Sequence, residues 1–220
     1  MVHRIALVHA LRASMAPIEA AFAEAWPRAA LQHLLDDALP VDLERAGRVD
    51  AGIEERFVRL ARYAVDSGAD AVLFTCSAFG SAIDAARAAV AVPVVKPNEA
   101  MVDEAVRGAG DVVLLATFAP TLASMVPEFE AAAAALGRRV HVRPVFVAGA
   151  LDAMASGAFD AHDALIADAA EEHAGGSVVV ALAQFSMARA APSVRRRLGA
   201  PVLTTPESAV AGLRRRLETA

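Results

Sequence analysis

Gly68-Ala69-Asp70-Ala71-Val72-Leu73-Phe74-Thr75-Cys76-Ser77-Ala78-Phe79-Gly80 is the stretch on which the fold turns. A glycine closes what precedes it, a short apolar run climbs through Phe74, and a polar turn leads into an alanine-rich segment from Ser81. An apolar run of that length without polar alternation reads as a strand covered on both faces, the habit of parallel sheets with crossover helices. Outward from it, comparable runs occur at 4–8, 92–95, 111–116, 140–147, 177–183 and 201–204, separated by longer segments of helical spacing. After Asp50, the residues Ile53, Phe57, Leu60, Ala61 and Ala64 share one helical face that Gly68 terminates. Ser81 and Asp84 have capping-box spacing, and Thr205-Pro206 supplies a helix cap followed by a first-turn proline. Strands alternating with helices predict an α/β fold.

The same stretch returns later in the chain. Gly68 to Cys76 runs parallel to Gly176-Ser177-Val178-Val179-Val180-Ala181-Leu182-Ala183-Gln184, and Pro93-Val94 answers to Pro201-Val202 at the same offset. That offset also lays Ile5-Ala6-Leu7-Val8-His9 on Val113-Leu114-Leu115-Ala116-Thr117. One offset kept by several strands predicts two α/β halves related by an approximate twofold. With no Ser/Gly-rich linker, the expected lobes are 1–95 plus 205–220 and 96–204, crossing near 93–99 and 200–206.

Composition narrows the function. The 220 residues are 56% hydrophobic and 21% charged with net charge -5, which excludes a disordered chain and supplies no polyanion trap. The basic clusters Arg138-Arg139, Arg195-Arg196-Arg197 and Arg214-Arg215-Arg216 sit near helix ends without interleaved aromatics, so no nucleic-acid partner is expected. No apolar run approaches a membrane span, and Met1-Val2-His3-Arg4 leads straight into a strand rather than a signal peptide, so a cytoplasmic protein without a membrane partner is expected. A single cysteine rules out an intrachain disulfide. His33, His141, His162 and His173 lack HxH or HExxH spacing, Gly-x-Gly-x-x-Gly follows no strand, and Walker and Gly-x-Ser-x-Gly signatures are missing. The expectation is chemistry without cofactor or metal, on a small carboxylate; a homo-oligomer is left open.

In such sheets the carboxyl ends of strands carry the chemistry, because helix N-termini and loop amides converge there. Reading each strand to its end collects His9 to Ser14, Thr75 to Phe79, Lys96 to Glu99, Thr117 to Thr121, Gln184 to Met187 and Thr204-Thr205. Cys76 is the sharpest of these. A thiol between a strand and a helix start meets turn amides that favour thiolate, which suits a nucleophile or proton carrier, against the plain alternative of a small buried hydrophobe. His9 could pair with a thiolate or bind a carboxylate, and Lys96, next to Pro97, reads as a surface charge rather than a Schiff-base amine. Phe79, Phe118, Phe185 and Met187 suggest a pocket for an aryl or alkyl group, or else core.

Phe74-Thr75-Cys76-Ser77-Ala78 resembles the first active-site cysteine motif of the Asp/Glu/hydantoin racemase superfamily. Thr117 to Thr121 is similar to its mid-chain hydroxyl loop, Gln184-Phe185-Ser186-Met187-Ala188 stands where its second cysteine motif lies, and Pro201 to Pro206 resembles the closing segment. The resemblance implies two pseudo-symmetric lobes, each a mainly parallel four-stranded sheet flanked by helices, with the active site in the interlobe cleft. It implies proton transfer at a Cα without a cofactor, with Cys76 catalytic and His9, Ser14, Thr75, Ser77, Ala78, Thr117, Thr121, Gln184, Phe185 and Ser186 around the substrate. Members of the family use two cysteines, one per face of Cα, and here Gln184 occupies the second position. An amide cannot deprotonate a carbon acid at neutral pH. Three one-thiol routes follow: racemisation of an acidic substrate with His9 or water as second carrier, protonation after decarboxylation as in arylmalonate-decarboxylase-like relatives, and covalent addition to a double bond as in maleate-isomerase-like relatives. A carboxylate-binding protein without catalysis is the reading from another class.

Overall fold

The computed structural model describes residues 2–108, 110–176 and 178–219. The chain divides into two compact units, Met1–Pro97 with Ala209–Ala220, and Asn98–Ser208. The first unit runs β1 Arg4–His9, α1 Met15–Ala25, β2 Ala30–Leu35, α2 Leu39–Ala46, α3 Ala51–Asp66, β3 Ala71–Phe74, α4 Gly80–Ala89 and β4 Val94–Val95. The second runs α5 Glu99–Gly108, β5 Asp111–Ala116, α6 Ala119–Ala135, β6 His141–Phe146, α7 Ala150–Ala155, α8 Phe159–His173, β7 Val178–Leu182, α9 Ala191–Arg197 and β8 Val202–Thr204. Helix α10, Thr205–Glu218, begins in the second unit and continues in the first, where Arg214 donates to the Ala25 carbonyl at 2.8 Å.

Each unit holds a four-stranded parallel sheet, ordered β2-β1-β3-β4 and β6-β5-β7-β8. The central strands are apolar throughout because both faces are covered. In the first unit Ala6, Val8, Val72 and Phe74 pack under α3 and α4, with Phe57 against Phe74 and Phe79 at ring separations of 4.9 and 5.0 Å. Removing the Phe57 ring would cost about 3–5 kcal/mol by the usual scale for buried aromatics. Helix α3 shows the expected face, with Ile53, Phe57, Ala61 and Ala64 buried, and Asp50 accepts from the Ile53 amide at 2.9 Å as its cap. In the second unit Val113, Leu115, Val180 and Leu182 pack with Ile166 and Met187, while Leu114, Ala116, Val179 and Ala181 pack with Met125 and Phe129 on the opposite face.

The internal repeat is visible in the backbone. Gly68 and Gly176 both stand before their strands with positive φ, +85° and +74°, a conformation that favours glycine. The Val72 amide donates to Pro93, and the Val180 amide to Pro201, each at 2.9 Å. Ser177, which the sequence places at the start of the later strand, lies outside the described residues. The first strand departs from the common offset by one residue. Thr75 donates to Val8 while Ala183 donates to Leu115, so Val8 answers to Leu115 and His9 to Ala116 rather than Thr117. In a strand covered on both faces no polar alternation marks the register, and a one-residue slip is invisible in the sequence.

Other local readings are corrected as well. Strand β2, Ala30-Leu31-Gln32-His33-Leu34-Leu35, was not among the apolar runs; it is an edge strand without a β-branched residue. Helix α4 starts at Gly80, which puts Ser81 inside the helix, and the Asp84 carboxylate goes to Lys96 Nζ at 2.7 Å instead of a cap. At α10 the cap falls one residue early: the Glu207 amide donates to Thr204 Oγ1 at 3.3 Å, while the buried Thr205 hydroxyl has no partner among the described residues. Among the described residues no helix is long and apolar enough to cross a membrane.

Candidate active site

In the first unit the ends of β1 and β3 carry a polar cluster. His9 is the last residue of β1 and fully buried; Thr75 directly follows β3; Ser14 lies just before α1. His9 Nδ1 stands 2.9 Å from Thr75 Oγ1 and 3.2 Å from Ser14 Oγ, and the two hydroxyls are 2.9 Å apart. Ser14 also donates to the Leu11 carbonyl at 2.7 Å. On the other side of the ring, His9 Nε2 meets His33 Nδ1 of β2 at 3.0 Å, and His33 Nε2 lies 3.4 Å from Glu19 Oε1 of α1. Burial, with the neighbouring His33 second, lowers the His9 pKa to about 4. The ring is therefore neutral at physiological pH. Both ring nitrogens are engaged within the cluster, Nδ1 by Thr75 and Ser14 and Nε2 by His33.

Cys76 follows Thr75 but leaves the strand on the opposite face, where it packs against the core under α3 and α4. It is extended, at φ -128° and ψ 119°, and opens the short turn Ser77–Phe79 that leads into α4. Part of the residue is open to solvent, yet the sulfur lies among enough protein atoms for desolvation to dominate and push its pKa up. The Ala78 amide donates to the sulfur and pulls the other way without overcoming that. The expected bias toward thiolate is thus reversed: in this state the thiol is held protonated, because burial outweighs one amide. Ser77 is half-buried and Ala78 exposed on the turn.

In the second unit Gln184 follows β7 after Ala183, extended at φ -126° and ψ 146°, and opens the turn Phe185–Ala190. Its Oε1 accepts from the Thr117 amide at 2.7 Å and from the Thr117 hydroxyl at 3.0 Å. A backbone amide can only donate, so the atom facing it is the oxygen, and the orientation of the side-chain amide is determined. The Nε2 hydrogens then have no protein acceptor among the described hydrogen bonds, and Gln184 is an oriented N–H donor. Thr121 is buried in the first turn of α6 and does not bond to Gln184; Ser186 is half-buried. Phe185 and Met187 are buried, Met187 and Phe79 each within the core of its own unit, whereas Phe118 is 47% exposed.

No motif in the sequence marks Glu19, or His33 beyond its lack of metal-ligand spacing, as part of this cluster. His33 could have been found only by recognising β2, since parallel pairing of β1 with β2 is what brings it beside His9.

The description Asp/Glu/hydantoin racemase belongs to the family model that matches residues 7–213. Glutamate racemase from Francisella tularensis subsp. tularensis SCHU S4, in complex with D-glutamate, has TM-score 0.68 at 15% identity, covering 99% of this chain and 81% of that one. Allantoin racemase from Klebsiella pneumoniae has TM-score 0.69 at 20% identity, covering 99% and 88%. Unliganded arylmalonate decarboxylase has TM-score 0.62 at 19% identity, covering 97% and 92%. No curated protein sequence matches the chain. At these identities the solved structures speak to the fold.

Proposed function

The chain belongs to the Asp/Glu/hydantoin racemase family, and from that premise we propose that it is a cofactor-independent enzyme in which Cys76 transfers a proton at the α-carbon of a small carboxylic acid or amino-acid derivative. The observation that carries the reading is the pairing of roles at two equivalent strand ends: a thiol after β3 and, after β7, an amide whose Oε1 is engaged by Thr117 and whose N–H groups are free to donate. A carbanion next to a carboxylate delocalises its charge onto the carboxylate oxygens, and an oriented N–H donor is suited to such an oxygen. Ser77 and Thr121 are the further candidates for the substrate oxygens.

In the racemase form, Cys76 must first lose its proton, accept the α-hydrogen as thiolate, and rely on a second carrier to return a proton on the other face. A raised thiol pKa makes that form faster as pH rises. A second reading, decarboxylation of an activated malonate-type acid, is favoured by the same raised pKa: a protonated thiol is ready to donate to the enediolate left when carbon dioxide departs, and this activity declines as pH climbs past the thiol pKa. Covalent addition to a double bond needs thiolate and is not favoured by it.

The deciding experiment offers purified protein a panel of amino acids, hydantoins, 2-aryl acids, arylmalonates and maleate, with chirality, carbon dioxide release and geometric isomerisation followed in parallel. Inversion supports the racemase form, and carbon dioxide release with Cys76-dependent product chirality supports the lyase form. Turnover that needs an added metal or nucleotide, or no turnover of any α-acid, contradicts the proposal.

A further inference from the structure

Thr75, His9 and His33 form a line of hydrogen-bonded side chains from the end of β3 through β1 to β2, and beyond it the half-exposed Glu19 carboxylate on α1 lies 3.4 Å from His33 Nε2. Proton counting along it leaves few choices. A carboxylate only accepts, so His33 Nε2 carries a proton toward Glu19. With one proton per ring, His33 Nδ1 is bare and accepts from His9 Nε2–H, and His9 Nδ1 is bare and accepts from the Thr75 hydroxyl. Ser14 does not compete, because its proton is given to Leu11 at 2.7 Å. In this arrangement every proton on the line points toward Glu19.

One added proton reverses the line. Thr75 takes it on Oγ1 and passes its own hydroxyl proton to His9 Nδ1; His9 passes its Nε2 proton to His33 Nδ1; His33 becomes an imidazolium on the Glu19 carboxylate. His9 Nδ1–H then donates to Thr75, whose hydroxyl turns to the Val8 carbonyl at 3.4 Å. Three protons become four, no bond other than O–H and N–H changes, and His9 ends neutral in both states. We infer that this line is a proton relay and store, in which a proton released at the Thr75 end, one residue before Cys76 in the chain and on the opposite face of the strand, is held by His33 against Glu19. This deepens the proposed function and rests on it for the working end: a one-thiol racemase needs a second proton carrier, and the line supplies one whose charge is kept away from the buried strand end.

The surroundings agree with a relay. His9 resists charging, as its low pKa records, so it conducts rather than stores. The titratable groups facing His33 are Glu19 from α1 and His9 from β1; Asp36, just past β2, has both oxygens on Arg56 of α3, and Asp37 pairs with Arg12. Among the described residues no three His, Cys, Asp or Glu side chains are arranged to hold a metal ion, so the two histidines form a line and not a coordination site.

Two-bond ¹H–¹⁵N correlation spectra of protein labelled at histidine nitrogen, recorded from about pH 8.5 to 5, read the tautomers directly. His9 should change from Nε2–H to Nδ1–H in step with His33 becoming doubly protonated, without itself becoming imidazolium. His33→Gln should hold His9 in one tautomer over the whole range. Glu19→Gln should lower the population of doubly protonated His33 at the acid end of the range relative to the parent, since the imidazolium loses its partner. Cys76→Ser should leave the transition in place, so this readout does not depend on turnover: a tautomer change without any α-carbon chemistry would keep the relay and sink the proposed function. A single His9 tautomer through the His33 titration, independent titration of the two rings, or a doubly protonated His9 overturns the relay even where Cys76-dependent turnover is found.

Discussion

The strand ends at Thr75–Ala78 and Ala183–Met187 share a backbone and differ in the side chains they present. In both, an amide donates back to the neighbouring central strand, Thr75 to Val8 at 3.0 Å and Ala183 to Leu115 at 2.9 Å, and an extended residue opens a short turn before a helix. At that residue the first unit has a thiol held protonated by burial, and the second an amide clamped by Thr117. Behind the first lies a polar line ending in Glu19; behind the second are apolar residues of β5 and β7. A duplicated backbone thus preserves where a group is presented without preserving what the group does.

Breaking the thiol side should have the largest effect. Cys76→Ala is expected to lower α-carbon turnover by about 10³-fold or more, in the range for loss of a general acid or base, with the fold intact by circular dichroism. The next effect is on stability. His9 has its pKa lowered from 6.5 to about 4 on folding, so the unfolded chain binds this proton first as pH falls. The stability held by the neutral ring is complete above pH 6.5 and is lost between 6.5 and 4, a swing of about 3 kcal/mol. Urea midpoints at pH 7 and pH 4.5 should show that loss in the parent protein and a smaller one in His9→Asn.

On the amide side, Gln184→Leu should lower kcat/KM by about 10²-fold by removing an oriented donor. It should also cost about 1–3 kcal/mol, because the Thr117 amide and hydroxyl lose their acceptor. Gln184→Cys sharpens the comparison further: it restores a thiol at each strand end, and chiral chromatography should show racemisation gained or raised. The smallest effect is expected at Thr121→Val, under about 1 kcal/mol by thermal unfolding, since that hydroxyl does not bond to Gln184.

Much of this contrast is legible in the sequence because it rests on strong local signals. The apolar runs of β1, β3, β5 and β7, the glycines before β3 and β7, and the prolines before β4 and β8 all announce parallel strands and their repetition. Cys76 and Gln184 stand out as the unlike pair in matching motifs. What the sequence hides depends on pairing across distance. Ala30–Leu35 has no β-branched residue to mark it as a strand, so the meeting of His33 with His9 could not be seen. The correspondence of β1 with β5 in the repeat is off by one residue in the sequence, because neither face of those strands is polar enough to mark its register within its own sheet. Gln184 and Thr117 are 67 residues apart, and their pairing follows only once β5 and β7 lie side by side. The reversed bias of Cys76 is likewise a property of packing density, which motif spacing does not record.

The central claim, that the thiol end moves the proton while the amide end holds an oxygen, is tested most directly by ¹H NMR of α-hydrogen exchange in D₂O with the turned-over acid, comparing the parent protein, Cys76→Ser and Gln184→Leu. The account predicts solvent deuterium at the α-carbon with the parent, none above background with Cys76→Ser although the acid still binds, and slower exchange with weakened binding for Gln184→Leu. Exchange that persists in Cys76→Ser at the parental rate would contradict it.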